Sequence, residues 1–151
     1  MAVKPIPDGY RNVTPYLIVN GADRAIEFYK QAFGAKERMR FPMPGGKAGH
    51  AELEIGDSLV MLADEMPEMG YVGPRSVGGT PVSLMVYDVD VDARLAQAVA
   101  AGAVVTREVK DEFYGDRIGT LTDPFGHVWS IATHKEDVSP EEMQRRMAAM
   151  A

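Results

Sequence analysis

Two stretches of the chain share one order of predicted elements, and this internal echo constrains the fold more than any other feature. The first reads YLIVNGADRAIEFYKQAFGA and the second LMVYDVDVDARLAQAVAAGA. Each has a short apolar run, a capping residue, a helix-periodic segment and a closing Gly-Ala. The copies lie roughly 68 positions apart, longer than solenoid repeats, and only two exist. The echo therefore predicts a duplicated half-domain.

Capping residues and glycine stops predict one helix in each copy. In the first, Asn20 or Asp23 is the cap and Gly34 the left-handed stop. In the second, the cap is Asp90 or Asp92 and the stop is Gly102. The apolar faces carry Ile26, Tyr29 and Phe33 in the first helix, and Leu95 and Val99 in the second.

The alternation of apolar and polar residues, bounded by turn residues, predicts eight strands. These are TPYLIV, KERMRFPM (ending at Pro42), HAELEI, SLVMLAD, PVSLMVYDV, VVTREV, RIGTLTD and HVWSIAT. The dipeptide Gly56-Asp57 joins the third and fourth strands, and Asp123-Pro124-Phe125-Gly126 has the residues of a type I turn before the last. The segment 65–80, rich in Gly and Pro, is predicted to be a loop.

A separate tail helix is predicted in SPEEMQRRMAAM, because Ser139, Pro140 and Glu142 form a capping box. Its apolar stripe consists of Met143, Met147 and Met150. Docking on its own domain and packing on a second subunit both fit this stripe, and the pattern leaves the choice open.

Composition narrows the function. The chain has 151 residues, no cysteine and a net charge of −6, from 16 Lys and Arg against 22 Asp and Glu. Disulfides, thiolate nucleophiles and Cys-based zinc sites are excluded. Nucleic-acid binding is not expected, because no basic cluster exceeds Arg145-Arg146. No apolar run is long enough for a signal peptide or membrane span, so we expect a cytoplasmic protein.

The motifs FYKQAFG, YGDR and DPFGHVW, within two copies of strand–helix–three strands, resemble the vicinal oxygen chelate superfamily. Its members include glyoxalase I, bleomycin- and fosfomycin-resistance proteins and extradiol dioxygenases. More narrowly, HAELEIGDSLVMLADE and DPFGHVWSIATHKEDVSPEE resemble its PhnB-like branch.

The resemblance implies an α+β fold in which two βαβββ modules curl into an incomplete barrel around a cavity, usually in a homodimer. The chain would then be one domain, 1–151, with a C-terminal helix. Its parts would be module one at about 12–65, loop 66–80, module two at about 81–134 and a tail at 139–150.

Enzymes of this family hold a divalent metal with His, Glu or Gln from the first and fourth strands of each module. Carried over one at a time, these positions fall on Thr14, near Met61, near Ser83 (Val82 or Leu84 within one residue) and on Ser130. Hydroxyls are weak neutral donors and a thioether suits Cu(I), so the standard metal site is expected to be absent. The alternative metal site is His50, Glu52 and Glu54, which share one strand face, although a half-exposed strand gives the same pattern.

Alternation also separates a cavity face from a helix face. The predicted lining is Thr14, Tyr16, Ile18, Leu59, Met61, Ser83, Met85, Tyr87, Val128 and Ser130. The set predicted to pack under the helices is Leu17, Val19, Val60, Leu62, Leu84, Val86, Trp129 and Ile131. Apolar groups with hydroxyls and sulfurs suit an organic ligand better than an ion.

The stretch EFYGDR adds groups with directional chemistry. Phe113 and Tyr114 can stack on a planar ligand, and Arg117 can hold a carboxylate or phosphate. Equally, Arg117 can form a structural ion pair with Asp116 or Glu112 and have no role in ligand binding.

Three hypotheses follow. The first is a small-molecule-binding protein of the glyoxalase/bleomycin-resistance type, with no metal, whose ligand carries an acidic group. The second is a metal-dependent lyase, isomerase or dioxygenase using His50, Glu52 and Glu54. The third is an interaction module built on the Met-rich tail and the loop 65–80. The sequence names no ligand and leaves open whether a reaction is catalysed.

Overall fold

The computed structural model describes residues 2–151, and the chain forms two compact units that meet in sequence between Thr80 and Pro81. The elements of the first unit are β1 (Tyr16–Val19), α1 (Ala22–Phe33), β2 (Lys36–Met43), β3 (Lys47–Ile55), β4 (Ser58–Asp64), a 3₁₀ turn (Pro67–Met69) and the short helix α2 (Pro74–Val77). In this unit β1 runs parallel to β4, and the sheet order is β1-β4-β3-β2.

The elements of the second unit are β5 (Ser83–Tyr87), α3 (Val91–Ala101), β6 (Val104–Asp111), β7 (Asp116–Thr122), β8 (Val128–His134) and α4 (Pro140–Met150). This unit repeats the topology of the first with the order β5-β8-β7-β6, and β5 is parallel to β8. The prediction of an α+β fold with two βαβββ modules and a C-terminal helix is confirmed. Three strands are longer than predicted, since β2 continues through Pro42 to Met43, β3 begins at Lys47 and β6 reaches Asp111.

Helix α1 buries the face that the sequence predicts and ends at Gly34, which is left-handed with φ 67°. The predicted cap is wrong, because the N-cap is Gly21 and neither Asn20 nor Asp23 caps the helix. Instead, the buried carboxylate of Asp64 accepts hydrogen bonds from the amides of Gly21 (2.8 Å) and Ala22 (2.9 Å). The helix start is thus satisfied from β4, which is distant in sequence.

Helix α3 starts at the predicted cap, since the Asp90 side chain accepts from the amide of Ala93 at 3.1 Å. Its buried residues are Val91, Leu95 and Ala98. Val99, predicted on the same face as Leu95, is 43 % exposed, because that stripe passes through Ala98 instead.

The helix-side faces assigned by alternation agree with the burial, whereas Leu59, predicted on the cavity face, is buried. Six of the residues predicted to pack under the helices are buried, and two, Leu84 and Val86, are half-buried. The buried six are Leu17, Val19, Val60, Leu62, Trp129 and Ile131. Each sheet therefore has one face packed on its helix and one open face.

The turn between β7 and β8 is built around Asp123, whose carbonyl accepts from the amide of Gly126 at 3.1 Å. Its carboxylate, 1 % exposed, accepts from the amides of Phe125 (2.8 Å) and His127 (3.0 Å) and from Nε1 of Trp129 (2.9 Å). The DPFGHVW motif therefore has a structural role.

The tail helix α4 begins at Ser139, whose hydroxyl accepts from the amide of Glu142 at 3.2 Å. The capping box is only half made, because the Glu142 carboxylate pairs with Arg145 (2.6 Å) and Arg146 (2.9 Å). These hydrogen bonds, that to Arg145 first, lower the pKa of Glu142 to about 2. Within residues 2–151, no helix is long and apolar enough to cross a membrane.

Candidate functional site

The open face of the second sheet carries a pocket of about 300 Å³. Its floor comes from adjacent strands, because Thr120 on β7 is level with Ser130 on β8 and Arg107 on β6. The Thr120 and Ser130 hydroxyls are hydrogen-bonded at 2.9 Å. The full lining is Arg107, Glu108, Lys110, Glu112, Phe113, Tyr114, Ile118, Thr120 and Ser130.

Two aromatic side chains from the β6–β7 loop form part of the pocket wall. The rings of Phe113 and Tyr114 meet edge to face, with centroids 5.3 Å apart and planes at 88°. Burial, and then the charges of Glu112 and Asp116, raise the pKa of the Tyr114 phenol. The phenol therefore remains a hydrogen-bond donor near neutral pH.

The loop that carries these aromatics is held by the segment after β8 and by α4. Gly115, with φ 105°, accepts at its carbonyl from the amides of Lys135 (2.8 Å) and Glu136 (3.1 Å). A Cβ at Gly115 would clash with the Glu136 carbonyl oxygen, so glycine is required there. Arg146 also donates to the carbonyl of Phe113 at 2.9 Å. The tail thus docks on its own unit and fixes the pocket wall.

The pocket contains a cation without a carboxylate partner. Within residues 2–151, Arg107 forms no ion pair, whereas Nζ of Lys110 lies 3.5 Å from Oε1 of Glu112. Arg107 is exposed on the pocket side of β6. Its guanidinium is therefore available for an acidic group of a ligand.

Arg117, the predicted anion-binding residue, does not line this pocket. Its Nε and Nη2 donate to the Asp92 carboxylate on α3 at 2.8 and 3.0 Å, and Nη1 donates to Asp111 at 3.3 Å. These hydrogen bonds, those to Asp92 first, raise the pKa of Arg117. The ion pairing proposed as the alternative is present, but its partners are Asp92 and Asp111, because strand parity puts Arg117 on the helix side.

The remaining predicted residues of the second unit lie on the same open face. Met85 is level with Ser130, and Ser83 with Val128. Both side chains are exposed, as is Tyr87, whose hydroxyl donates to Asp116 at 2.8 Å.

The open face of the first sheet brings together residues that the sequence analysis treated separately. Tyr16 is level with Met61, Met61 with Glu52, and Phe41 with His50. Thr14 precedes β1, so Tyr16 is the β1 neighbour of Met61. The predicted lining residues Tyr16 and Met61 therefore share a face with the alternative metal ligands His50 and Glu52.

The donors on these faces do not fit a divalent metal. The positions from the family pattern offer hydroxyls at Thr14, Ser83 and Ser130 and a thioether at Met61. In the alternative set, Glu54 faces Arg38 at 3.8 Å. Across residues 2–151, no group of three or more His, Asp or Glu side chains is arranged to hold a metal ion.

Sequence reasoning missed Arg107, Lys110 and Thr120. Strand alternation could not assign Arg107 and Lys110 to a face of β6, because register shifts interrupt the pairing of β6 with β7 on both sides of Arg107. Thr120 could have been found from strand alternation, because it lies two residues after Ile118 in the same strand and therefore on the same face.

Comparison with known proteins agrees with the topology. The model of the Glyoxalase/Bleomycin resistance protein/Dioxygenase superfamily matches residues 11–131. The uncharacterized protein Mb0911c of Mycobacterium bovis is 42 % identical over 140 residues, covering 91 % of this chain and 92 % of that protein. The uncharacterized protein At5g48480 of Arabidopsis thaliana is 31 % identical over 127 residues, covering 80 % of this chain and 76 % of that protein.

Solved structures show the same fold. The crystal structure of the At5g48480 gene product has a TM-score of 0.66 at 29 % identity and covers 82 % of this chain and 98 % of that chain. The crystal structure of TioX from Micromonospora sp. ML1 has a TM-score of 0.64 at 26 % identity and covers 85 % of this chain and 100 % of that chain. With its two βαβββ modules, the chain belongs to the Glyoxalase/Bleomycin resistance protein/Dioxygenase superfamily.

Proposed function

We propose that this protein binds a small, planar organic anion in the pocket of its second unit, without a metal. The observation that carries the proposal is the combination in one pocket of an unpaired guanidinium, two aromatic rings and a hydroxyl floor. A few polar groups converging on apolar walls are typical of small-molecule sites. Arg107 takes the acidic group, a role that the sequence analysis gave to Arg117.

The pocket chemistry supports an anion over a cation or a neutral ligand. Glu112 is paired with Lys110, so its charge is partly offset, whereas Arg107 has no such partner among residues 2–151. The rings of Phe113 and Tyr114 provide apolar surface, and the protonated Tyr114 phenol adds a donor. The lining also contains the carboxylate of Glu108, so the preference for an anion rests on the Arg107 guanidinium and these hydrogen-bond donors and not on the net charge of the pocket.

The probe for the test is 8-anilinonaphthalene-1-sulfonate, which has fused aromatic rings and one anionic group. We expect saturable binding to the folded protein, followed by dye fluorescence. Arg107→Ala should weaken this binding at least about tenfold, because a charge-assisted hydrogen bond contributes about 1.5–3 kcal/mol. Amide shifts in an NMR titration should centre on Thr120 and Ser130.

Arg117→Ala is the matched control, since Arg117 lies outside the pocket and is held by Asp92 and Asp111. It should leave the affinity for the dye unchanged. Equal affinity of wild type and Arg107→Ala would refute the assignment of Arg107. Treatment with EDTA should change neither dye affinity nor melting temperature, and a large loss on chelation would refute the metal-free proposal.

Two narrower expectations belong to the same proposal. One is membership of the PhnB-like branch, which the motifs HAELEIGDSLVMLADE and DPFGHVWSIATHKEDVSPEE support. The other is a homodimer, which the exposed methionines of α4 support.

A further inference from the structure

A chain of hydrogen bonds crosses the open face of the first sheet. The Tyr16 hydroxyl lies 2.8 Å from Nδ1 of His50, and Nε2 of His50 lies 3.1 Å from Oε2 of Glu52. The hydroxyl of Tyr10 donates to the other oxygen of Glu52. Each ring nitrogen of His50 therefore has one defined partner, from β1 on one side and β3 on the other.

Charge sets the direction of these bonds. The Glu52 carboxylate is an acceptor, so a neutral His50 carries its proton on Nε2 and donates it to Glu52. Nδ1 then has a lone pair, which accepts the Tyr16 hydroxyl proton. Burial, and then Tyr71, raise the pKa of Tyr16, which keeps the phenol protonated as this arrangement requires.

The relay ends at an accessible group. Tyr16 is 47 % exposed, whereas Glu52 is largely covered. Because the Tyr16 proton points to Nδ1, the lone pairs of its oxygen are left for a ligand. Tyr16, His50 and Phe41 also form an aromatic surface, with the His50 ring 5.5 Å from Tyr16 and 6.5 Å from Phe41.

We propose that Tyr16, His50 and Glu52 form a proton-transfer site for planar organic carbon acids, in which Tyr16 contacts the substrate. The order of groups follows that of a hydroxyl–imidazole–carboxylate triad, with a phenol in place of an alcohol. This site goes beyond the ligand-binding pocket proposed above, with which it shares no residue.

The step balances without a further reactant. The Tyr16 oxygen accepts a proton from the C–H bond next to a substrate carbonyl, and the electron pair of that bond moves into the enolate. At the same time the Tyr16 O–H bond breaks and its proton passes to Nδ1 of His50. The resulting imidazolium is held by the Glu52 carboxylate. Return of the proton to carbon or oxygen restores the relay and gives exchange or isomerisation.

The test uses 2-indanone, a flat benzo-fused cyclic ketone with two acidic benzylic CH₂ groups, in D₂O with the full chain. Exchange of its CH₂ protons is followed by ¹H NMR. We expect wild type to exceed buffer and an equal concentration of imidazole. Tyr16→Phe and His50→Gln should each lose at least about tenfold, because general acid–base groups contribute about 10²–10⁴-fold.

Ser58→Ala is the control, because it removes an exposed hydroxyl from the same unit outside the relay, and it should keep the rate. Exchange no faster than in buffer, or full activity in Tyr16→Phe, would overturn the proposal. The dye titration of the Arg107 pocket is a separate readout, so either proposal can fail alone.

Glu52 acts through His50 and is a positioning residue. Its role must therefore be tested with a measurement that a change in protein stability alone would not alter. In ¹⁵N NMR, wild-type His50 should be the Nε2–H tautomer. Glu52→Gln should mix the tautomers and slow exchange while the circular dichroism spectrum is retained. A wild-type protein in which His50 is the Nδ1–H tautomer would contradict the assigned direction of the relay.

Discussion

At the residue scale, His134 is the clearest titrating group. Its Nε2 lies 2.7 Å from Asp137 and its Nδ1 2.7 Å from Asp116. Hydrogen bonds to Asp137 first, and then Asp116, raise the pKa of His134 above the usual 6.5. A raised folded-state pKa means that protonation favours the folded protein. This contribution is full below pH 6.5 and is lost as pH rises through the folded-state pKa.

We therefore expect His134→Gln to lower the melting temperature more at pH 5.5 than at pH 8. In an NMR titration, Asp137→Asn should move the His134 pKa toward its usual value. Glu141→Gln, which changes an exposed carboxylate nearby in sequence, is the control and should leave the titration unchanged. An equal loss of melting temperature at both pH values would contradict the ion-pair explanation.

At the element scale, Asp123 secures the β7–β8 turn. Its carboxylate satisfies three buried or partly buried donors, from the Phe125 and His127 amides and the Trp129 ring. Asp123→Ala should lower the free energy of unfolding by about 3 kcal/mol, because a buried donor left unpaired costs about 1–3 kcal/mol. Urea denaturation followed by Trp129 fluorescence measures this loss. Asp57→Ala, in the exposed β3–β4 turn, should change it by less than about 0.5 kcal/mol.

At the scale of the whole molecule, the proposed homodimer requires an exposed apolar surface. Helix α4 docks on its own unit through Arg146, but Met147 and Met150 remain 56 % and 67 % exposed. Exposed apolar stripes of this kind suit self-association. We expect the full chain to sediment as a dimer, and Met147→Ser with Met150→Ser to give a monomer.

The matched control for that experiment is Val3→Ser, at an exposed apolar residue of the lead-in segment. It should leave the sedimentation coefficient unchanged. A double methionine variant that remains dimeric would place the interface elsewhere.

Much of the fold was predictable because it depends on local rules. Alternation identified the buried faces of the strands, and Gly34 and Gly102 marked both helix ends. The cap of α1 was not predictable, because its partner Asp64 lies in β4. A carboxylate that reaches across more than forty residues leaves no local pattern.

The candidate sites also combine features that were predictable from the sequence with features that depend on contacts between distant residues. Sequence alone predicted a site at the aromatic pair Phe113 and Tyr114 and a shared strand face for His50 and Glu52, whereas the weak metal donors at the family positions remain a prediction from the resemblance. Only the tertiary structure showed that Arg107 lines a pocket beside two register shifts, that Asp92 of α3 pairs with Arg117, and that the Tyr16 hydroxyl contacts His50. Periodicity assigns a side chain to a face, but partners depend on strand register and helix packing, which are set by contacts between distant parts of the chain.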